Sequence, residues 1–153
     1  MRSLLLVLAG ALVLAPSALA HTDSPKQLAL QWPAQGTVTS PFGRDGGRWH
    51  PGLDIGILRS LTVRAAAPGF VTLVGEEPGY EGYGNVVTVA LGDGFTALYA
   101  HLSRPKVRPG AYVSAGDVLG IAGCTGWCTG THLHFELRYR GRATDPSGLL
   151  GLG

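Results

Sequence analysis

Polar and apolar residues alternate for nine positions in Thr131-His132-Leu133-His134-Phe135-Glu136-Leu137-Arg138-Tyr139, the period of a β-strand with one buried face. The alternation directs Leu133, Phe135, Leu137 and Tyr139 into a core and turns His132, His134, Glu136 and Arg138 away from it. Other strand-like runs occupy Leu61–Arg64, Phe70–Val74, Asn85–Leu91, Phe95–His101, Tyr112–Ser114 and Val118–Ala122. Pro68-Gly69, Gly92-Asp93-Gly94, Pro109-Gly110 and Gly116-Asp117 separate them as turns. Gly92-Asp93-Gly94 lies between two such runs and reads as a hairpin connection. No stretch after residue 20 sustains a 3.6-residue period. The pattern predicts an all-β fold, a small antiparallel β-sandwich or partly open barrel.

The first 20 residues follow a different rule. Arg2 precedes an apolar run from Leu4 to Ala15, and Pro16 breaks that run before the small-x-small triplet Ala18-Leu19-Ala20. This reads as a cleaved secretory signal peptide, since the run is too short to span a bilayer. No Cys lies within it to carry a lipid. Residues 21–36 read as a leader and residues 37–153 as one domain, long enough to bury a core. We therefore expect export across the inner membrane to the periplasm or beyond, no stable membrane anchor after cleavage, and a monomer. The formal net charge is +2, one unit less without Arg2, and the arginines are scattered. That balance offers no electrostatic footprint for nucleic acid.

Chemistry concentrates in the histidines. His21 falls at the cleavage point and is set aside. His50 lies in Gly47-Arg48-Trp49-His50-Pro51-Gly52-Leu53-Asp54-Ile55, where Pro51 and Gly52 forbid a helix, so His50 and Asp54 must meet through a turn. His101 ends the run Phe95–His101, whose alternation puts Ala97, Tyr99 and His101 on one side. His132 and His134 share a strand face about 7 Å apart. Neutral imidazole and carboxylate suit a zinc ion, and a catalytic zinc uses three protein ligands and keeps a fourth position open. Histidines left over would transfer protons or support a developing oxyanion. The inventory fits metal-assisted hydrolysis.

Gly47 to Ile55, Tyr99-Ala100-His101-Leu102 and Thr129-Gly130-Thr131-His132-Leu133-His134-Phe135-Glu136 together resemble the signature of the lysostaphin/LytM-type zinc endopeptidases. The resemblance extends from about Val38 to Pro146 and includes Val107-Arg108-Pro109-Gly110 and Val113 to Gly120. It implies that His50, Asp54 and His134 hold one zinc ion per chain, a choice between His132 and His134 that spacing alone leaves open. It implies that His101 and His132 stand beside the metal, one taking a proton from water and the other supporting the tetrahedral intermediate. It also implies a small antiparallel β-sheet fold with the metal at the floor of a groove. The substrate it implies is the peptide stems or cross-bridges of bacterial cell-wall peptidoglycan.

Two features depart from that pattern. Some relatives place a Tyr shortly before the first zinc His; here the nearby aromatics are Phe42 and Trp49, and Tyr83 or Tyr99 would have to supply a hydroxyl. The second is Cys124-Thr125-Gly126-Trp127-Cys128, which in a secreted protein reads as a disulfide presenting Trp127 beside the groove. Its competitor is a closed structural zinc site of Cys124, Cys128, His132 and His134. Glu136 either orients one of the histidines or is a solvated strand residue, and Asn85 either lines the groove or serves a turn.

Two other functions compete. Ala67-Pro68-Gly69-Phe70-Val71 and Val107 to Gly120 also look like hairpins of biotinyl and lipoyl carriers. Those need a Lys between methionines at a hairpin tip, whereas Met1 is the sole Met and the lysines are Lys26 and Lys106. The other is a non-catalytic LytM-type regulator of wall hydrolases, against which the intact His50, Asp54, His101, His132 and His134 argue.

Overall fold

Short β-branched and aromatic runs form strands throughout residues 28–152, the part of the chain that the computed structural model describes. The signal peptide read at residues 1–20 lies outside the described residues, as do the first residues of the leader. In chain order the strands are β1 (Thr37–Ser40), β2 (Gly43–Asp45), β3 (Arg48–His50), β4 (Leu53–Gly56), β5 (Thr62–Arg64), β6 (Gly69–Gly75) and β7 (Val86–Gly92). They continue as β8 (Phe95–Ala100), β9 (Leu102–Pro105), β10 (Tyr112–Val113), β11 (Val118–Ala122), β12 (Leu133–Tyr139) and β13 (Arg142–Thr144).

The large antiparallel sheet has the order β1-β4-β12-β8-β7-β6-β10, with β13 also paired to β12, and it does not close into a barrel. A second sheet, β5-β11-β9, and the β2–β3 hairpin complete the fold. One face of the large sheet supplies Leu53, Ile55, Val87, Val89, Tyr99 and Phe135 to a core that also holds Val63, Leu102 and Leu119 of the smaller sheet. The expected all-β antiparallel architecture is the one observed. Asp93 and Gly94 both have positive φ, 50° and 83°, as a two-residue hairpin turn between twisted strands requires. Part of the leader belongs to the fold: the Gln31 N–H donates to the Ala66 carbonyl at 2.7 Å, the Arg64 N–H donates to the Pro33 carbonyl at 2.8 Å, and Ala34 joins the core.

His134 and Glu136 turn away from that core, as the alternation reads, and are themselves buried on the opposite face of β12. Two expectations need correction. Tyr139 is 39% exposed; it ends β12 beside the Gly92–Gly94 turn, where its ring packs on Phe95 at 4.8 Å instead of entering the core. His101 does not share a side with Ala97 and Tyr99. Strand β8 stops at Ala100, and His101 adopts φ +60°, which breaks the alternation and sends its ring towards His132 and His134. A left-handed conformation at a non-glycine residue costs about 1 kcal/mol or more, so the surrounding contacts hold it there.

Candidate metal centre

The chain reaches His50 at the end of β3, turns through Pro51-Gly52, and presents Asp54 on β4. Gly52 is required at that turn: a Cβ there would overlap the Phe135 carbonyl and press on the His134 and Glu136 side chains. The register of β4 against β12 sets Asp54 opposite His134, and β8 sets Ala100 on the other side of His134. Directly opposed residues on one sheet face bring their side chains together, so a local turn and a long-range pairing meet at one point.

At that point three ligand-type atoms form a small triangle. His50 Nε2 lies 3.2 Å from Asp54 Oδ1 and 3.1 Å from His134 Nδ1, and His134 Nδ1 lies 2.8 Å from Asp54 Oδ1. A tetrahedral zinc with bonds of about 2.0–2.2 Å sets its ligand atoms about 3.3 Å apart, so the three atoms fit such an ion. Two imidazole nitrogens and one carboxylate oxygen are also the donor types zinc prefers.

Partners on the far side of each ring settle which nitrogen carries hydrogen. His50 Nδ1 donates to the Pro41 carbonyl at 2.7 Å, and the Ser40 hydroxyl lies 3.2 Å from the same nitrogen. His134 Nε2 donates to Glu136 Oε1 at 3.0 Å. A carbonyl or a carboxylate can only accept, so in the neutral rings His50 Nε2 and His134 Nδ1 carry lone pairs. These lone pairs face each other and the Asp54 carboxylate. Such a cluster of acceptors is stable only with a cation or protons among them.

When protons fill that role, the shifts follow. The hydrogen bond to Asp54 holds His50 above its ordinary value against burial. Burial alone would lower His134, but its bonds to Asp54 and Glu136 outweigh burial and raise it. Burial would raise Asp54, yet the two histidines hold it well below the carboxylate range.

Glu136 takes the bracing reading and not the solvated one. It is fully buried; Tyr83 Oη donates to its Oε1 at 2.5 Å and Arg138 Nε to its Oε2 at 2.6 Å. Burial opposes its charge, but the bonds from His134, Arg138 and Tyr83 keep it ionised.

Beside the triangle stand the other two histidines. The His101 and His132 rings are 4.7 Å apart, and His101 is 5.8 Å from His134. His132 Nε2 lies 3.6 Å from Asp54 Oδ1. Each again has its Nδ1 bound to a carbonyl: His101 to Thr125 and His132 to Gly130, both at 2.8 Å. In the neutral rings the Nε2 atoms are therefore the ones that carry lone pairs. Burial lowers His101 and favours the neutral ring.

All five histidine and aspartate positions line one open cleft of about 410 Å³. Arg48, Trp49, Glu81, Tyr83 and Trp127 form its rims, with Trp49 and Trp127 64% and 82% exposed. Cys124 and Cys128 form the expected disulfide, which removes the thiolates that a closed site with His132 and His134 would need. Asn85 does not reach the cleft; its side chain donates to the Leu102 carbonyl at 3.1 Å. Tyr99 is fully buried, and its hydroxyl accepts the Ala66 N–H at 2.8 Å. The tyrosine in the cleft is Tyr83, and its hydroxyl is already donated to Glu136.

The sequence profile of peptidase family M23 matches residues 48–146. The chain is similar to DD-carboxypeptidase/endopeptidase Mpg of Neisseria meningitidis, 38% identical over 115 residues, which cover 71% of this chain and 26% of that protein. It is similar to murein hydrolase activator NlpD of Salmonella dublin, 34% identical over 131 residues, covering 86% and 34%. The chain thus spans about a quarter to a third of the length of these curated relatives. Among solved structures, the catalytic domain of the antimicrobial peptidase lysostaphin from Staphylococcus simulans superposes with a TM-score of 0.63 at 32% identity, covering 76% of this chain and 90% of that one.

Proposed function

The chain belongs to peptidase family M23, and on that premise we propose that it is a zinc-dependent endopeptidase that hydrolyses peptide bonds in the stems or cross-bridges of bacterial cell-wall peptidoglycan. The observation that carries this reading is the triangle of His50, Asp54 and His134, whose lone pairs converge on the floor of an open cleft. These three residues would hold the ion. A zinc ion bound there would polarise a peptide carbonyl and lower the pKa of water towards about 7.

The chain's own residues supply the rest. Pro41 and Glu136 fix the two ligand rings, so that neither must reorganise when a ligand arrives. His101 and His132, each with its Nδ1 bonded to a carbonyl, present their Nε2 atoms beside the triangle. One accepts the proton of the attacking water; that proton passes to the leaving amine as the carbonyl–nitrogen bond breaks. Its neighbour supports the oxyanion. The exposed Trp49 and Trp127 grip an extended peptide across the cleft. Similarity to a protein named as a murein hydrolase activator and to an antimicrobial peptidase supports a site of action outside the cytoplasm. Among the described residues no helix is long and apolar enough to cross a membrane.

A second reading follows from similarity to a murein hydrolase activator: the domain engages another wall hydrolase and performs no cleavage of its own. One experiment separates the two. The zinc-loaded protein is incubated with purified peptidoglycan of defined cross-link types, with and without chelator, and the released fragments are identified by mass. Chelator-sensitive release of peptide-cleaved fragments is expected. Intact peptidoglycan after treatment with fully zinc-loaded protein would leave only the activator reading.

A further inference from the structure

The loop Cys124–Cys128 touches the cleft at a point the proposed chemistry leaves unassigned. Thr125 sits inside that disulfide-closed loop and is bonded through both its side chain and its main chain. Its hydroxyl accepts the Asn85 N–H at 3.0 Å and donates to the Leu102 carbonyl at 2.9 Å. Its carbonyl accepts from His101 Nδ1 at 2.8 Å, and among the described residues that carbonyl is the hydrogen-bond partner of the His101 ring.

The loop is docked as well as closed. Trp127 N–H donates to the Gly82 carbonyl at 2.8 Å. Gly84 and Gly126 leave no room for a Cβ: the first would strike the Thr125 backbone, the second the backbone of Gly82 and Gly84. At its other end, Cys128 Sγ lies 3.8 Å from His132 Nδ1. His101 needs such support, because its backbone holds φ +60° with only the Tyr83 carbonyl accepting its N–H, at 2.9 Å.

We propose that Thr125 is the positioning residue for His101, and that the Cys124–Cys128 disulfide keeps it in place. The proposal rests on the reading of His101 as one of the two non-ligand histidines that act beside the metal. The carbonyl fixes hydrogen on Nδ1 and so aims the Nε2 lone pair into the cleft. When the carbonyl drifts, the ring turns or presents the wrong nitrogen. Displacing a catalytic group by about 1 Å costs up to about 100-fold in rate.

Thr125→Val keeps the shape but removes both side-chain anchors; Thr125→Ser keeps the hydroxyl. Thr125→Val is expected to lower kcat on peptidoglycan at least 10-fold with KM within about 2-fold and one zinc still bound per chain, and Thr125→Ser to stay near the parent. Reducing the parent with a water-soluble phosphine breaks the S–S bond: the phosphine gives two electrons and becomes its oxide, and water supplies the oxygen and the two thiol protons. Reduction should reproduce the loss, and reoxidation should restore the rate.

A second readout needs no turnover. The His101 Nδ1 proton should give a slowly exchanging ¹⁵N-coupled NMR signal in the parent and in Thr125→Ser, and lose it in Thr125→Val and in the reduced protein. A persistent signal and an unchanged kcat in Thr125→Val, with zinc bound, overturn the proposal. A parent that cleaves no peptidoglycan but loses the signal in Thr125→Val overturns the enzymatic reading and leaves the positioning contact standing.

Discussion

Glu136 Oε1 lies 3.0 Å from His134 Nε2, two residues along the same face of β12. The contact decides which nitrogen of His134 faces the ligand triangle, and Glu136 is in turn held by Tyr83 and Arg138. Partners at this remove commonly contribute 10-fold to 100-fold in metal affinity. Glu136→Gln should therefore weaken zinc binding by about that factor, measured by competition with a chromophoric chelator. Unchanged affinity would mean that the carboxylate serves only its bonds to Tyr83 and Arg138.

His132 and His134 share a strand face but differ in what they touch. His134 Nδ1 is a corner of the triangle, whereas His132 Nε2 stands 3.6 Å from Asp54. His134→Ala should abolish both zinc binding and cleavage. His132→Ala should lower cleavage by about 10²-fold to 10⁴-fold and keep most of the zinc, as metal analysis of the purified variants will read. Equal loss of zinc in both would break the division between the ligand His134 and the non-ligand His132.

The alternation in β12 made the core residues Leu133, Phe135 and Leu137 legible, and turn residues located most neighbouring strands. Where the reading went astray, a backbone fact was responsible. Period-2 counting assumes extended φ, and His101 at φ +60° breaks it, so the ring crosses to the face of Leu98 and Ala100. Strands β1 to β4, β9 and β13 have three or four residues each, too few to carry a period. The triangle's residue types could be suspected from sequence, but its closure depends on a β4–β12 pairing across 80 residues. The carbonyls of Pro41, Thr125 and Gly130 that orient the rings leave no mark in a sequence, because every residue has a carbonyl.

Metal-free protein should show a definite pH response. His50 and His134 are raised above their ordinary value, so the stability they contribute is complete below about pH 6.5 and is lost as pH rises through their raised values. Asp54 is lowered, so its contribution is present above its ordinary value of 3.8 and is lost as pH falls towards its depressed one. Stripped protein is thus most stable in the mildly acidic window between those limits. Zinc competes with the same protons, so the Tm gained on adding zinc should grow from about pH 5.5 to about pH 8. A gain that is flat with pH would detach zinc from the two imidazoles.

The two tyrosines that the sequence offered as hydroxyl donors should part on mutation. Tyr99 is fully buried, and its hydroxyl accepts the Ala66 N–H at 2.8 Å on the core side of the sheet. Tyr99→Phe leaves that N–H buried without a partner, which costs about 1–3 kcal/mol. Tm should fall several degrees while the cleavage rate of the folded protein at 25 °C stays unchanged. Tyr83 lines the cleft, and its hydroxyl holds Glu136 at 2.5 Å. Tyr83→Phe removes one of the bonds that keep Glu136 charged against His134, so zinc affinity should fall in the direction of Glu136→Gln but by less. A rate loss in Tyr99→Phe, measured with fully folded and zinc-loaded protein, would require its hydroxyl to reach the cleft through a sheet that the structure shows closed between them.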